Sequence, residues 1–296
     1  MSDQVTTAFV NAFRANIDIG LQQKGSRLRN YVRVESQKAE KEFYDRITST
    51  AAVKVTTRHG DTPLIATPHD RRMVTLTDYD WADLVDNIDK IRMLADPTSA
   101  YAQNAIFALG RAIDDEVIAA ASGTAYTGKS GTTSTVLPSG SKVAVTYNED
   151  GTSTSRNLTI GKLRRARYLL DSQEANEDGE LVIVVTASQL QALLRTTEVT
   201  SSDYNMVKAL TNGEIDTYLG FKFVRTERLA VASSIRKCLA FAKGSMLLAI
   251  GDDIRVRIAE RPDKRHAMQV YASLSLGATR MWEEKVVEIS CDETVL

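Results

Sequence analysis

Val5, Phe9, Ala12 and Phe13 recur at intervals of four, three and one, which predicts one apolar stripe of a short helix near the start of the chain. Between residues 51 and 79 the period drops to two. Val53 and Val55 alternate with Lys54 and Thr56, and Val74 and Leu76 with Thr75 and Thr77, a pattern that predicts two strands. The stretch between them holds His59-Gly60-Asp61, Pro63, Pro68 and the pair Arg71-Arg72, and it reads as the irregular distal end of a long hairpin. Leu84, Val85, Ile88, Ile91 and Leu94 then fall near helical spacing, so 81–94 reads as amphipathic.

Asp96-Pro97-Thr98-Ser99 combines an N-cap residue with proline at the first helical position. No breaker follows before Ser122 except the mild weakening at Gly110, and Gly123 supplies the stop. Ala102, Ile106, Leu109, Ile113, Val117 and Ala120 mark its apolar face. A helix over 97–122 is roughly 39 Å long, a rod suited to holding distant contacts in register. Further on, Thr159 can cap a helix running to about residue 174, with Leu163, Ala166, Leu169 and Leu170 inward. Lys162, Arg164, Arg165 and Arg167 crowd its other side, as a solvated face or one turned to nucleic acid. A fully apolar strand at 181–185 precedes a helix from Ser188 and another around 204–210. Residues 215–226 alternate as a hairpin around Gly220, and strands are expected at 238–242, 254–258, 270–276 and 286–289. The fold class is α+β with an extended layout.

At 296 residues the chain suits one large domain or two modest ones, and 43% hydrophobic with 25% charged residues excludes disordered and fibrous classes. With 37 Lys+Arg against 38 Asp+Glu there is no bulk basic excess of the kind that binds nucleic acid. Locally, Lys24, Arg27, Arg29 and Arg33 fall within ten residues free of acids, as an electrostatic contact with nucleic acid or an acidic partner, or as a solvated linker. Two cysteines, Cys238 and Cys291, are too few for a disulfide scaffold or a cysteine zinc site. No apolar run is long enough to span a membrane, and the first residues lack a basic and apolar leader, so a soluble, reduced, cytosolically made chain is expected.

Catalytic signals fail on context. Gly123-Thr-Ala-Tyr-Thr-Gly128-Lys129-Ser130 fits the phosphate-loop pattern letter for letter. That chemistry needs a strand before and a helix after, whose N-terminus supplies the anion field. Here a long helix comes before, and Gly, Ser and Thr make up more than half of residues 123–157, so a loop with a short hairpin around 142–147 is the expectation. His59, His69 and His266 lack ligand spacing. Cys238 sits in an apolar strand pattern without a local histidine, Ser139–Lys142 mimics an acylation motif inside the low-complexity loop, and Asp252-Asp253 reads as a turn. No catalytic residue, cofactor or metal is expected.

The order of elements resembles the HK97-type fold of tailed-bacteriophage major capsid proteins over nearly the whole chain. The stretch WADLVDNIDKIRMLADPTSAYAQNAIFALGRAIDDEVIAAASG at 81–123 is similar to the family segment in which an extended loop leads into the spine helix. GEIDTYLGFKFVRTERL at 213–229 is similar to the axial-domain hairpin, and Gly277-Ala-Thr-Arg280-Met281-Trp282 to the closing strands. The resemblance implies an N-terminal arm at 1–46, an E-loop hairpin at 47–83, a peripheral domain at 84–157 with its spine helix at 97–122, an axial domain at 158–255, and return strands at 256–296. It implies a virion shell subunit that self-assembles into pentamers and hexamers around double-stranded DNA without sequence-specific binding, made in the host cytoplasm. Portal, separate scaffolding protein and a decoration protein are the partners it brings in. The scaffolding protein is expected as a separate chain because no long helical extension precedes the arm. Lys54 near the loop base has no evident Asn partner, so crosslinking is not carried over.

An isolated two-stranded hairpin is marginal in water and needs a covering surface. Val53, Val55, His59, Gly60, Asp61, Arg71, Arg72, Val74 and Leu76 are therefore the candidate subunit-interface residues, with Arg71 and Arg72 meeting acidic groups of the next subunit. Lys24, Arg27, Arg29 and Arg33 are the candidate basic residues of the arm and inner face. An encapsulin-like compartment on the same fold is the alternative, and a nucleotide-binding enzyme built on 123–130 a more distant one. Lys129→Ala is expected to change stability by no more than about 0.5 kcal/mol and to leave assembly intact. Loss of an ATP-hydrolysing activity in that variant would restore the phosphate-loop reading.

Overall fold

A computed structural model of the chain describes residues 22–58, 60–85, 98–195 and 217–295. The stripe at Val5–Phe13, His59, the Asp96-Pro97 cap, the apolar positions at 88–94 and the helix expected at 204–210 lie outside these residues. In chain order the elements are strands β1 (Arg33–Ser36), β2 (Lys41–Ile47), β3 (His69–Thr75) and β4 (Thr77–Val85), then helix α1 (Thr98–Ser122). Next come β5 (Ala125–Thr127), β6 (Thr133–Thr135), β7 (Lys142–Val143), α2 (Ile160–Asp171), β8 (Leu181–Val185) and α3 (Ala187–Leu194). The chain ends with β9 (Thr217–Tyr218), β10 (Phe221–Arg225), β11 (Val231–Ala232), β12 (Ile235–Ala242), β13 (Met246–Arg261), β14 (Ala267–Arg280) and β15 (Val286–Asp292). Two compact units emerge, one of residues 1–26, 77–113 and 252–275, the other of 27–76, 114–251 and 276–296.

In the larger unit the main sheet runs β7-β15-β12-β8-β10-β9, with β11 beside β12. β8 and β10 are parallel, from Leu181↔Phe221 to Val185↔Arg225, and α3 lies in the connection that a parallel pair requires. All five residues of β8 are buried, as an apolar run without alternation should be. Thr159 caps α2 by accepting from the Lys162 amide, and Leu163, Ala166 and Leu170 are buried as the spacing predicts. Lys162 departs from its expected solvated face. Its side chain is 0% exposed, and its ammonium donates to the carbonyls of Arg156 (2.6 Å) and Ser290 (2.8 Å). A long aliphatic stem on the buried side of a helix stays inside when strand and loop carbonyls satisfy its charged end. Burial pulls its pKa below the usual lysine value.

The expected hairpin exists in another register. β2 pairs antiparallel with β3 from Lys41↔Thr75 to Ile47↔His69, so the first strand lies in the segment read as the arm, and 53–56 holds no strand. Alternation favoured Val53 and Val55, but burial decides between segments of equal propensity. Val74 packs with Leu247, Ala249 and Met281, with Tyr44 against them, whereas Val53 and Val55 meet no such surface among the described residues. The glycine-rich segment forms the antiparallel pair β5–β6, with Gly128 (φ 90°) and Gly131 (φ 65°) turning between the strands. Lys142-Val143, expected in a hairpin, pairs instead in parallel with β15. The phosphate-loop letters thus span a helix end, a strand and a turn.

In the smaller unit β14 lies between β13 and β4. Residues 81–85 belong to strand β4, not to a helix: Tyr79 and Trp81 are half-buried while Asp78 and Asp80 are exposed, and that alternation outweighs the spacing of Leu84 and Val85. Along α1, Leu109, Ile113 and Val117 are buried as expected, while Ile106 is 39% exposed and Ala105 is buried in its place. Gly110 is required by packing, since a Cβ there would lie 2.5 Å from Gly25 Cα. In the larger unit, Asp114 on the same helix is 0% exposed and accepts from the amides of Arg27 (3.0 Å) and Leu28 (3.0 Å). Asp114→Ala strands both amides, a loss of at least about 2 kcal/mol. Urea unfolding of the unassembled subunit should show a lower midpoint, and an unchanged midpoint would exclude this tether.

Candidate assembly interface

The foot of the β2–β3 hairpin is held by charge. Arg72 is 0% exposed, and its guanidinium donates to the buried Glu283 carboxylate. Arg46, opposite Asp70 in the hairpin register, reaches Asp70 at 2.7 Å, Glu283 at 3.2 Å and the Met281 carbonyl at 2.6 Å. Its guanidinium lies 5.1 Å from the centre of the Trp282 ring. The Thr127 hydroxyl donates to Asp70 at 2.6 Å, drawing β5 into the cluster. Arg280 donates to the carbonyls of Ala120, Ala121 and Gly123, capping the C-terminal end of α1, and to that of Thr135. Burial pulls Arg72 and Arg280 below the usual guanidinium pKa, and Glu283 opposes both shifts.

Beyond the foot, the chain from 48 to 68 leaves the sheet. Roughly twenty residues connect β2 to β3 without regular structure, beyond the length at which unstructured connections become uncommon in compact domains. The segment exposes apolar side chains: Val53 at 54%, Val55 at 77% and Leu64 at 98%, with Ile65 about half exposed. Gly60 and Asp61 are exposed there too, and Leu76 is half-buried. Among the described residues nothing covers these side chains, and exposed apolar groups of this kind are unusual on a protein surface.

The structure redistributes the candidate residues. Arg72 and Val74 are interior, so Arg72 is engaged by Glu283 of its own chain rather than held out toward a neighbour's acids. Arg71 pairs with Asp45 at 3.1 Å across the hairpin. Among the basic residues near the arm, Arg33 pairs with Glu35 at 2.8 Å, Arg27 donates to the Arg225 carbonyl, Arg29 is half-buried and Lys24 is exposed. Leu64 and Ile65 went unnoticed because they show no periodicity; their signal is an apolar pair between two prolines. Glu283, Arg46 and Asp70 carry no sequence signal of burial. Among the described residues no group of three or more His, Cys, Asp or Glu is placed to hold a metal ion.

The phage capsid protein family model matches residues 5–293. The chain belongs to that family. No curated protein sequence matches this capsid subunit. Its fold is that of solved phage shells, the HK97-type capsid architecture. The capsid of Helicobacter pylori bacteriophage KHP30 superposes with a TM-score of 0.73 at 8% identity, covering 99% of this chain and 98% of that one. The capsid of cyanophage P-SCSP1u gives 0.71 at 14% identity over 96% and 93%. A native GTA particle capsid gives 0.68 at 14% over 96% of each chain. The protein is thus a structural subunit of the virion shell, a class that is not enzymatic.

The charge cluster gives the subunit an acid response. Burial raises the Asp70 carboxyl, but the hydrogen bonds from Thr127 and Arg46 outweigh it and bring its pKa down to about 2. A carboxyl depressed in the folded state stabilises above its unfolded pKa, near 4, and that contribution is lost as pH falls through about 2. Asp70→Asn should lower stability at neutral pH and flatten its decline between pH 4 and 2, measured by denaturant titration of free subunits. Parallel declines in the two proteins would show that Asp70 contributes nothing there.

Proposed function

We propose that this major capsid subunit closes its shell by laying residues 48–68 on a neighbouring copy. The supporting observation is the uncovered apolar set Val53, Val55, Leu64 and Ile65 on a loop whose foot is fixed by buried charge. Gly60 and Asp61 lie exposed along this loop, while Val74 and Arg72 act from inside, holding the hairpin in its direction. In this reading the residues before β2 form an arm, the β2–β3 hairpin with its 48–68 connection an E-loop, α1 a spine helix and 158–255 an axial domain, arranged as pentamers and hexamers. The shell encloses double-stranded DNA without reading its sequence, and a near-neutral subunit suits a container that must release its contents. A portal, a separate scaffolding protein and, on some shells, a decoration protein complete the assembly, and no catalytic role is assigned to any residue.

The removable part is narrower than the alternation of Val53–Leu76 suggests, because β3 carries Arg72 and Val74 into the interior. Replacing residues 50–66 by a short Gly-Ser linker should give a folded, soluble subunit that forms no shells. Size-exclusion chromatography and circular dichroism decide: particles of normal size, or loss of secondary structure, would each overturn the assignment.

A further inference from the structure

Five buried side-chain polar atoms have no hydrogen-bond partner among the described residues, and three of them are guanidinium nitrogens: Arg72 Nε, Arg72 Nη1 and Arg280 Nε. The other two lie toward β1. Gln37, whose Oε1 is unpaired, is held through its amide nitrogen by the carbonyls of Ala39 and Val74. The Tyr44 hydroxyl is raised in pKa by burial and by the charges of Glu42 and Glu35. Arg72 and Arg280 are both 0% exposed. Arg72 uses only Nη2, on Glu283, whereas Arg280 uses both terminal nitrogens on backbone carbonyls. Burial lowers the Arg280 pKa, Glu283 opposes this, and the charge of Arg72 lowers it further, so the two guanidiniums are within electrostatic reach of one another.

The carboxylates around them are already engaged. Glu283 takes Arg72 on one oxygen and Arg46 on the other, and Asp70 takes Arg46 and Thr127. Glu288, also buried, is answered by Lys237 at 3.4 Å. Arg46, Arg72, Arg280 and Lys237 therefore face Asp70, Glu283 and Glu288, a surplus of one positive charge. The more exposed charges nearby come in opposite pairs, Arg71 with Asp45 and Lys285 beside Glu284.

We propose that a small monovalent anion of the chloride class binds beside Arg72, on its Nε and Nη1, as an internal counter-ion at the foot of the hairpin. Guanidinium nitrogens donate and cannot accept, so these positions call for an acceptor. An anion offers acceptance alone, whereas water brings hydrogens of its own into a site already crowded with them. One negative charge cancels the surplus, and a doubly charged ion would reverse it at a greater desolvation cost. The ion completes the joint between β3, the end of α1 and the segment before β15. This stands apart from the reading of the 48–68 loop, which needs no ion.

The test uses unassembled full-length subunits at constant ionic strength, with chloride exchanged for gluconate, a polyhydroxy acid too bulky for an enclosed site. Above its dissociation constant, one chloride site raises the folding equilibrium constant about tenfold for each tenfold rise in chloride. Urea unfolding should show that dependence in the wild type and lose it in Arg72→Lys, which keeps a cation toward Glu283 but lacks the Nε and Nη1 donors. Crystals of the wild-type subunit grown in bromide should give an anomalous diffraction peak beside Arg72, a readout that decides the matter even if Arg72→Lys fails to fold. Stability indifferent to chloride, an equal chloride dependence in Arg72→Lys, or ordered water with no bromide peak would each overturn the proposal.

Discussion

The Arg72–Glu283 pair is the constraint on which the larger unit turns. It joins a strand of the small sheet to the segment between the last two long strands, and Arg46 reaches the same carboxylate from the opposite hairpin strand. Arg280, three residues before Glu283, holds the final carbonyls of α1, so helix end, hairpin foot and closing strands meet in one place. Removing two charges from water costs several kcal/mol per ion, and the pair's mutual attraction recovers this only where further hydrogen bonds complete the shell. Here Arg46 adds one such bond to Glu283 at 3.2 Å, while the Arg72 Nε and Nη1 have no hydrogen-bond partner among the described residues, so the pair constrains geometry more than it stabilises. Geometric specificity is the return, because a buried guanidinium tolerates few arrangements.

That arrangement divides the hairpin by physical role. Its foot is determined by charge and packing inside one chain, and Gly277 permits the close approach: a Cβ there would lie 2.3 Å from the Thr75 carbonyl oxygen. Its far end has neither, and spends its apolar side chains outward.

Periodicity made the long elements readable. Helix α1, the α2 face at Leu163, Ala166 and Leu170, the buried strand at 181–185 and the turn at Gly220 all follow from local spacing and local turn chemistry. What stayed hidden depends on distant partners. Val53 and Val55 look more strand-like than Phe43–Arg46, but only the latter meet Val74 and Asp70. Lys162 looks like one member of a basic face until the Ser290 carbonyl, far along the chain, accepts its hydrogen bond. Glu283 is an ordinary glutamate in sequence and becomes central because Arg72 arrives beside it. A single sequence records which residues suit a strand or helix, but a buried charge pair is written in two places with nothing between them to mark it.

The two cysteines have a practical side. Cys238 and Cys291 are both 0% exposed, on the adjacent strands β12 and β15, and contact with Cys291 together with burial holds the Cys238 thiol well above its usual pKa. Thiolate is the reactive form, so the folded subunit is close to silent toward maleimides and other sulfhydryl reagents. A single cysteine engineered into an exposed loop would therefore be the one reactive handle on each copy, and the native pair would report only unfolding.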